Sequence, residues 1–391
     1  MFTILKGGQV LDPVNLGGKD LLIASGRIAN IAEGISPFPD YGPVEVIDVT
    51  GNYVVPGFID QHVHLIGGGG EGGFATRTPE VVLSQVTSAG ITTVVGCLGT
   101  DGTTRHMTSL LAKARGLENE GISVYIYTGA YEVPTCTITE NVRNDLIIID
   151  KVIGCGEVAI ADHRSAQPTK EDIKKLVAEC RVGGLLSGKA GVLHLHIGDS
   201  KEGLGLLFEI LEETSIPITQ FTPTHINRNH SLLEQGIKFA KMGGMIDLTT
   251  GSNPRAGARR SIKPTQAIQH CLEQGVSMNQ ITMSSDGNGS LPVFDEHGQT
   301  IGLGVAELKS LYAEFKDLVK EGTEITESLK VVTQNPARSL KLYPQKGTLR
   351  VGSDADILVL DKDLNIVHVF ARGQCMVRDG EVVIKGTFER D

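Results

Sequence analysis

The middle of the chain alternates between short apolar runs and longer helix-like segments. Eight runs rich in apolar or β-branched residues lie at 54–65, 92–98, 123–130, 156–161, 192–197, 217–223, 245–250 and 281–285. Helix-like segments such as 78–89, 104–119 and 169–182 separate most of them. Strands that alternate with helices form parallel sheets, and eight such units are typical of a (β/α)8 barrel. The sequence therefore predicts an α/β protein with a TIM barrel over residues 56–344.

Both ends of the chain have the pattern of short strands joined by turns. Segments 20–24 and 27–31 flank a Ser25-Gly26 turn, and residues 44–49 alternate as a half-buried strand does. Segments 355–360, 368–372 and 381–384 have the same character near the C-terminus. We expect residues 1–55 and 345–391 to build one small β-sandwich domain together. A length of 391 residues accommodates this domain beside one barrel of about 250 residues.

The charge balance and the cysteines exclude several classes of protein. The net charge is −10, and no run of Lys or Arg stands out, which argues against nucleic acid or a membrane surface as partner. The six cysteines do not form the regular spacing of a disulfide framework. Neither a signal peptide nor a membrane-length apolar run is recognisable, so we expect a cytoplasmic protein.

Residues able to bind metal fall at the predicted ends of barrel strands, where the active site of a barrel enzyme lies. Two histidines that are two residues apart on a strand point to the same face, as a chelating pair requires. The residues at predicted strand ends that are able to bind metal are His62, His64, Glu157, His194, His196, His225 and Asp286. Each alone is compatible with a hydrogen-bonded core residue. Their joint placement predicts a site for borderline divalent ions such as Zn²⁺, made of four imidazoles and two carboxylates.

The periodicity leaves one ligand undecided. His194 and His196 lie two residues apart on the same predicted strand, so their side chains share one face. The alternation alone cannot choose between them, although His196 is nearer to the strand end.

Several motifs resemble known families. The segment Gly-Phe-Ile-Asp-Gln-His-Val-His at 57–64, together with Asp286, resembles the amidohydrolase superfamily. Within it, the chain is most similar to the isoaspartyl dipeptidases. This second resemblance depends on a glycine-rich loop at 67–73 that contains Glu71, on Ala-Asp-His-Arg-Ser at 161–165, on Pro-Thr-His-Ile-Asn-Arg-Asn at 223–229 and on Ser-Asp-Gly at 285–287. It covers essentially the whole chain.

The resemblance implies two Zn²⁺ per subunit, or other divalent ions, bridged by a carboxylate and a hydroxide. His62 and His64 would bind the more buried ion, and His196 and His225 the more exposed one. Asp286 would bind the buried ion and shuttle protons. His106, His163 and His230 are interpreted as structural residues or as residues that support the metal ligands without binding metal.

The chain departs from the superfamily pattern at the bridging position. Many members use a carboxylated lysine on the fourth strand, whereas the matching residue here is Glu157. Because this side chain already carries a carboxylate, it can bridge without modification, with a shorter reach.

The resemblance also implies a substrate with one ammonium and two carboxylates, a β-aspartyl dipeptide. Glu71 would bind the ammonium, and Arg164 and Arg228 would clamp the carboxylates. Tyr131 would stabilise the oxyanion. Further hydroxyl contacts would come from Thr100 and Ser290.

The implied activity is metal-dependent hydrolysis of the isopeptide bond, by a homo-oligomer that is an octamer in the family. One alternative is an amidohydrolase that opens a cyclic amide, as dihydroorotases and hydantoinases do. Another is a metal-free scaffold, but every expected ligand position holds a competent side chain.

Overall fold

The computed structural model describes residues 2–38, 42–251, 260–294 and 300–390, and within them helices alternate with strands. The strands are β1 (Phe2–Asp12), β2 (Val14–Ala24), β3 (Arg27–Ala32), β4 (Val44–Asp48), β5 (Tyr53–Pro56), β6 (Phe58–Val63), β7 (Ile91–Gly96), β8 (Ser123–Thr128), β9 (Val152–Ile160), β10 (Val192–Ile197), β11 (Phe221–Thr224), β12 (Ile246–Thr249), β13 (Ile281–Ser284), β14 (Ser290–Phe294), β15 (Thr300–Val305), β16 (Ile357–Leu360), β17 (Ile366–Ala371), β18 (Gln374–Arg378) and β19 (Glu381–Val382). The helices are α1 (Leu83–Thr87), α2 (Met107–Asn119), α3 (Val142–Ile148), α4 (Lys170–Ser187), α5 (Gly205–Glu213), α6 (His230–Lys241), α7 (Pro264–Glu273), α8 (Lys309–Lys320), α9 (Ile325–Lys330) and α10 (Gln334–Ser339).

Strands from both ends of the chain share one nine-stranded sheet. Its order is β19-β18-β17-β16-β5-β1-β2-β3, with β4 paired to β1. The predicted hairpin at 20–31 is confirmed, since β2 and β3 pair antiparallel. Leu5 and Leu21 from the first strands pack in one buried cluster with Ile357 and Phe370 from the last ones. The two ends of the chain therefore form one sheet together, while the exact domain boundaries stay a prediction.

The middle of the chain supplies eight strands with parallel pairing. A six-stranded sheet has the order β11-β10-β9-β8-β7-β6, and β12 pairs with β13. Every residue of β6, β7, β9 and β10 is buried. Such continuous burial is typical of parallel strands that are covered on both faces.

The prediction of one strand over 54–65 was wrong, because this run belongs to two sheets. β5 pairs with β16 in the sheet of the chain ends, whereas β6 pairs with β7 in the parallel sheet. Gly57 separates the two strands. A Cβ atom at this position would lie 2.3 Å from the Thr92 hydroxyl, so only glycine fits the crossing.

The helix predicted over 78–89 is reduced to α1, which begins only at Leu83. The preceding residues hold a loop instead. The Thr78 hydroxyl bonds to backbone groups of Gly68 and Asn288, and the Asn288 amide donates to the carbonyl of Pro79. Proline also disfavours helical geometry in the residue before it. By comparison, α4 begins as predicted, with the reciprocal capping box of Thr169 and Asp172.

In the part of the chain that the structure describes, no helix has the length and apolar character needed to cross a membrane.

Candidate metal centre and substrate site

The predicted ligands meet at the carboxyl ends of the parallel strands. His62 lies in β6 and His196 in β10, whereas His225 directly follows β11 and Asp286 follows β13. His225 and Asp286 both have positive φ, 62° and 55°. Non-glycine residues seldom adopt this geometry, which occurs in tight turns and is also found at functional sites.

Glu157 lies at the centre of the cluster. Its Oε2 atom is 3.3 Å from Nε2 of His62 and 3.9 Å from Nε2 of His64. Its Oε1 atom is 2.8 Å from Nδ1 of His196 and 3.0 Å from Nε2 of His225. Each carboxylate oxygen therefore faces one pair of histidines, which is the arrangement that a bridging ligand needs.

Asp286 lies on the side of the first pair. Its Oδ1 atom is 3.0 Å from Nε2 of His64 and 3.4 Å from Nε2 of His62. The structure thus brings both carboxylates and four imidazoles together.

His194 does not join this ring of donors but lies behind it. Its Nε2 atom is 2.8 Å from Nδ1 of His62, and its ring stacks on Tyr127 with centroids 4.7 Å apart. The choice that the sequence pattern left open is therefore decided by geometry: His196 faces Glu157, and His194 supports His62.

Two other histidines are fixed in the same way by residues that sequence reasoning missed. Nε2 of His196 lies 2.9 Å from Oδ2 of Asp162, and Nδ1 of His225 lies 2.6 Å from the Thr249 hydroxyl. In metal sites, a group bonded to the ring nitrogen that faces away from the metal orients the histidine ligand. Asp162 falls in the 161–165 motif, so its position could have been found; Thr249 gave no comparable indication.

The chemistry of the donors fits metal binding. Nε2 of His62 and Oε2 of Glu157 are buried and lie 3.3 Å apart, but neither makes a well-directed hydrogen bond with a described residue. Two sets of donor atoms, each within 4.8 Å of one another, share Glu157: His62, His64, Cys97 and Glu157 in one, and Glu157, His196 and His225 in the other. Buried polar atoms without partners are costly unless something binds them. Cys97 is the member of these sets that sequence reasoning missed, although it lies one residue before the end of the predicted strand 92–98.

The cluster perturbs its own titratable groups. Burial opposes ionisation of Glu157, but the charges of His62 and His196 hold its pKa well below the usual range. Burial likewise opposes ionisation of Asp286, yet the hydrogen bond from His64 and nearby charges lower its pKa to about 2. Burial and the charge of His62 lower the pKa of His194 far below its ordinary value. The two carboxylates are therefore anionic and His194 is neutral.

The predicted substrate residues form a second cluster beside the first. The Thr100 hydroxyl donates to Oε1 of Glu71 at 2.8 Å, and the Ser290 hydroxyl donates to Oε2 at 3.3 Å. Nη1 of Arg164 lies 3.4 Å from Glu71. The side chains of Arg164 and Glu71 are 27% and 28% exposed, and Nε and Nη2 of Arg164 donate to the Asp162 carboxylate at 3.0 and 2.8 Å.

Tyr131 connects the two clusters. Its hydroxyl lies 2.8 Å from Nδ1 of His196, and the Arg164 guanidinium is 5.5 Å from the centre of its ring. Burial and the charge of Glu157 raise the pKa of Tyr131 well above its ordinary value, so the phenol keeps its proton and can donate it in a hydrogen bond.

Arg228 lies near Tyr131 and His225. Its charge acts on the pKa values of Tyr131 and His225, and its Nε atom is buried without a partner among the described residues. A guanidinium that keeps an unpaired buried donor is suited to bind a carboxylate.

The three histidines that were not predicted to bind metal differ from the cluster in their exposure. His106, His163 and His230 are exposed, whereas the histidines of the cluster are buried.

Comparison with known proteins places this arrangement in a family. The model of the amidohydrolase family matches residues 53–382. The chain belongs to the amidohydrolase family. The crystal structure of the β-aspartyl dipeptidase of Fervidobacterium islandicum AW-1, in complex with the β-Asp-Leu dipeptide, is 44% identical, with a TM-score of 0.91 over 98% of this chain and 97% of that one. Both resemblances expected from the motifs are thus confirmed.

More distant amidohydrolases match over the same length. A D-hydantoinase structure is 17% identical, with a TM-score of 0.71, and covers 99% of this chain and 98% of its own, which shows the common fold alone. The dihydroorotase of Syntrophus aciditrophicus is 24% identical over 92% of this chain and 90% of its own length. These matches show that the fold is shared with more distant amidohydrolases.

Proposed function

We propose that this protein hydrolyses the isopeptide bond of β-aspartyl dipeptides in a metal-dependent reaction. The observation that carries the proposal is the position of Glu71, Arg164 and Arg228 around the histidine cluster. One anion and two cations match the one ammonium and two carboxylates of such a dipeptide. The β-Asp-Leu complex of the Fervidobacterium relative supports the same substrate class.

The proposed cofactor is a pair of zinc ions. His62, His64 and Asp286 would hold one ion, His196 and His225 the other, and Glu157 both. The buried Nε2 of His62 and Oε2 of Glu157, which make no well-directed hydrogen bond with a described residue, support this assignment. When bound, the two ions would polarise the scissile carbonyl and activate the attacking water.

The chain itself supplies the proton transfer and the orientation of the substrate. The Asp286 carboxylate accepts the proton of the attacking water as the new C–O bond forms. It returns this proton to the amine as the C–N bond breaks, which releases aspartate and the second amino acid. The Tyr131 hydroxyl donates a hydrogen bond to the oxygen on which negative charge develops.

Recognition depends on the second cluster. Glu71 binds the α-ammonium, with Thr100 and Ser290 fixing its carboxylate oxygens. Arg164 and Arg228 each bind one substrate carboxylate through their planar guanidinium groups. A cyclic amide such as hydantoin has no ammonium for Glu71 to bind.

The fold that we propose for this site is a closed (β/α)8 barrel. A parallel bridge between Val63, in β6, and Gly287, after β13, supports closure, and Gly287 also accepts a hydrogen bond from the backbone N–H of His64. The sheet of the chain ends would form the small β-sandwich domain. A cytoplasmic location and a homo-oligomer, an octamer by resemblance, complete the proposal.

The deciding experiment compares β-Asp-Leu, α-Asp-Leu, dihydroorotate and hydantoin with the zinc-loaded protein. We expect rapid release of leucine from β-Asp-Leu and much slower turnover of the other three. Glu71→Gln should raise KM for β-Asp-Leu, whereas Glu80→Gln, at an exposed carboxylate, should not. Equal rates on both peptides, or activity on cyclic amides alone, would refute the assignment and favour the dihydroorotase or hydantoinase reaction.

A further inference from the structure

Cys97 is held directly beside the metal-binding histidines of β6. It follows β7, and its backbone N–H donates to the carbonyl of Val63, the residue between His62 and His64, at 3.0 Å. The side chain is fully buried. Its position is therefore fixed by the pairing of two adjacent strands.

The thiol has no strong partner of its own. Sγ lies 3.7 Å from the carbonyl oxygen of Val63 and 3.9 Å from Nδ1 of His64. These are long contacts even for sulfur, whose hydrogen bonds are weak. A purely structural role would leave the thiol poorly satisfied.

Sγ does share a small space with strong metal donors. One donor atom each from His62, His64, Cys97 and Glu157 lie within 4.8 Å of one another. Two of the other donors, Nε2 of His62 and Oε2 of Glu157, are themselves buried without a well-directed hydrogen bond to a described residue. This second observation points to a ligand between these atoms.

We propose that the Cys97 thiolate is a ligand of the ion held by His62 and His64. Two imidazole nitrogens, one thiolate and the carboxylates of Glu157 and Asp286 form a donor set of the residue types that bind zinc. Metal binding breaks the S–H bond, and the proton leaves to solvent as the sulfur–metal bond forms. A soft thiolate favours zinc or cadmium over magnesium or manganese. The inference rests on the metal centre of the proposed function and adds a ligand to it.

X-ray absorption at the zinc edge tests this without any substrate. The wild-type protein should show zinc–sulfur scattering at about 2.3 Å beside nitrogen and oxygen at about 2.0–2.1 Å. Cys97→Ser should lose the sulfur contribution. Its zinc affinity should fall by at least about tenfold, because the loss of a residue that only orients a ligand already costs about 10–100-fold. Cys271→Ser, at a buried cysteine of α7, is the matched control and should keep the sulfur contribution.

Nitrogen and oxygen scattering alone in the wild-type protein would overturn the inference, as would sulfur scattering that persists in Cys97→Ser. The wild-type spectrum decides even when the variant fails to fold. Zinc bound without sulfur, in a protein that still cleaves β-Asp-Leu, would refute the thiolate ligand alone. A wild-type protein that binds no zinc would refute both this inference and the proposed function.

Discussion

Nε2 of His194 lies 2.8 Å from Nδ1 of His62, and both imidazoles are fully buried. When His62 donates its Nδ1 proton to neutral His194, the lone pair of its Nε2 atom faces Glu157 and Asp286. We therefore infer that His194 is a positioning residue, which would select the tautomer and the ring orientation of His62 as a metal ligand.

The first prediction is that His194→Leu weakens metal binding, because a leucine cannot accept the proton of His62. Loss of such a partner costs about 10–100-fold in metal affinity. His194→Gln, which keeps an acceptor, should restore part of it. Zinc titration against a competing chelator measures the effect, with the exposed His163→Gln as control. Wild-type affinity in the leucine variant would show that His194 only fills space.

The second prediction concerns Glu157, whose two oxygens face different histidine pairs. In Glu157→Ala, two dications would repel each other without a carboxylate between them. We expect one metal to be lost on dialysis, the one near His196 and His225, together with most turnover but not the fold. Metal analysis checks this, and Glu179→Gln on α4 is the control. Two tightly held metals in an active alanine variant would mean that another group forms the bridge.

The third prediction is that Asp286→Asn folds but loses turnover, because an amide cannot accept and return the proton. General acid–base catalysis contributes about 10²–10⁴-fold to the rate, so kcat should fall by a factor of about 10² or more. The assay uses β-Asp-Leu at saturation, with the metal content of the variant measured in parallel. A near-normal kcat in the metal-loaded variant would remove Asp286 from the reaction.

The fourth prediction separates binding from chemistry through Arg228. Lysine keeps the charge but loses the bidentate geometry of guanidinium. Arg228→Lys should therefore raise KM for β-Asp-Leu more than it lowers kcat, since the residue contacts substrate away from the scissile bond. Steady-state kinetics over a range of substrate concentrations gives both constants. Arg181→Lys, on α4, should leave both unchanged, and the same result for Arg228→Lys would exclude a carboxylate contact.

The sequence predicts most of this site because strand periodicity and strand ends determine where side chains point. His62, His64 and His225 could be found in this way. Periodicity fails between His194 and His196, because residues two apart share a face and only the three-dimensional packing distinguishes their depth. It also missed Cys97: a single cysteine at a strand end looks like an ordinary apolar residue until the neighbouring strand brings His62 and His64 beside it. The run at 54–65 was assigned to one strand for a similar reason, since apolar composition does not reveal a change of sheet at Gly57.

The last prediction concerns stability rather than catalysis. Glu314 on α8 is only 6% exposed, and its Oε2 atom has no partner among the described residues. Burial raises its pKa from 4.5 to about 7, and the charge of Lys263, which pairs with Asp317 and Glu321, opposes the shift only in part. The folded protein thus holds this proton more tightly than the unfolded chain does. The stabilising contribution of Glu314 is complete below the unfolded pKa of 4.5, and it is lost as the pH rises through about 7.

Glu314→Gln removes this dependence, because glutamine has the same shape and stays neutral. The variant should gain stability relative to the wild type between about pH 5 and about pH 8, by about 1.4 kcal/mol for each pH unit between pH 5 and the folded pKa of about 7. The difference in thermal midpoint between variant and wild type, measured at both pH values, removes effects common to the two proteins. Glu273→Gln, at an exposed position of α7, should show no such trend. The difference in thermal midpoint between Glu314→Gln and the wild type could instead be the same at both pH values. In that case the Glu314 carboxyl is already ionised in the folded protein at the lower pH, and water hydrates it there.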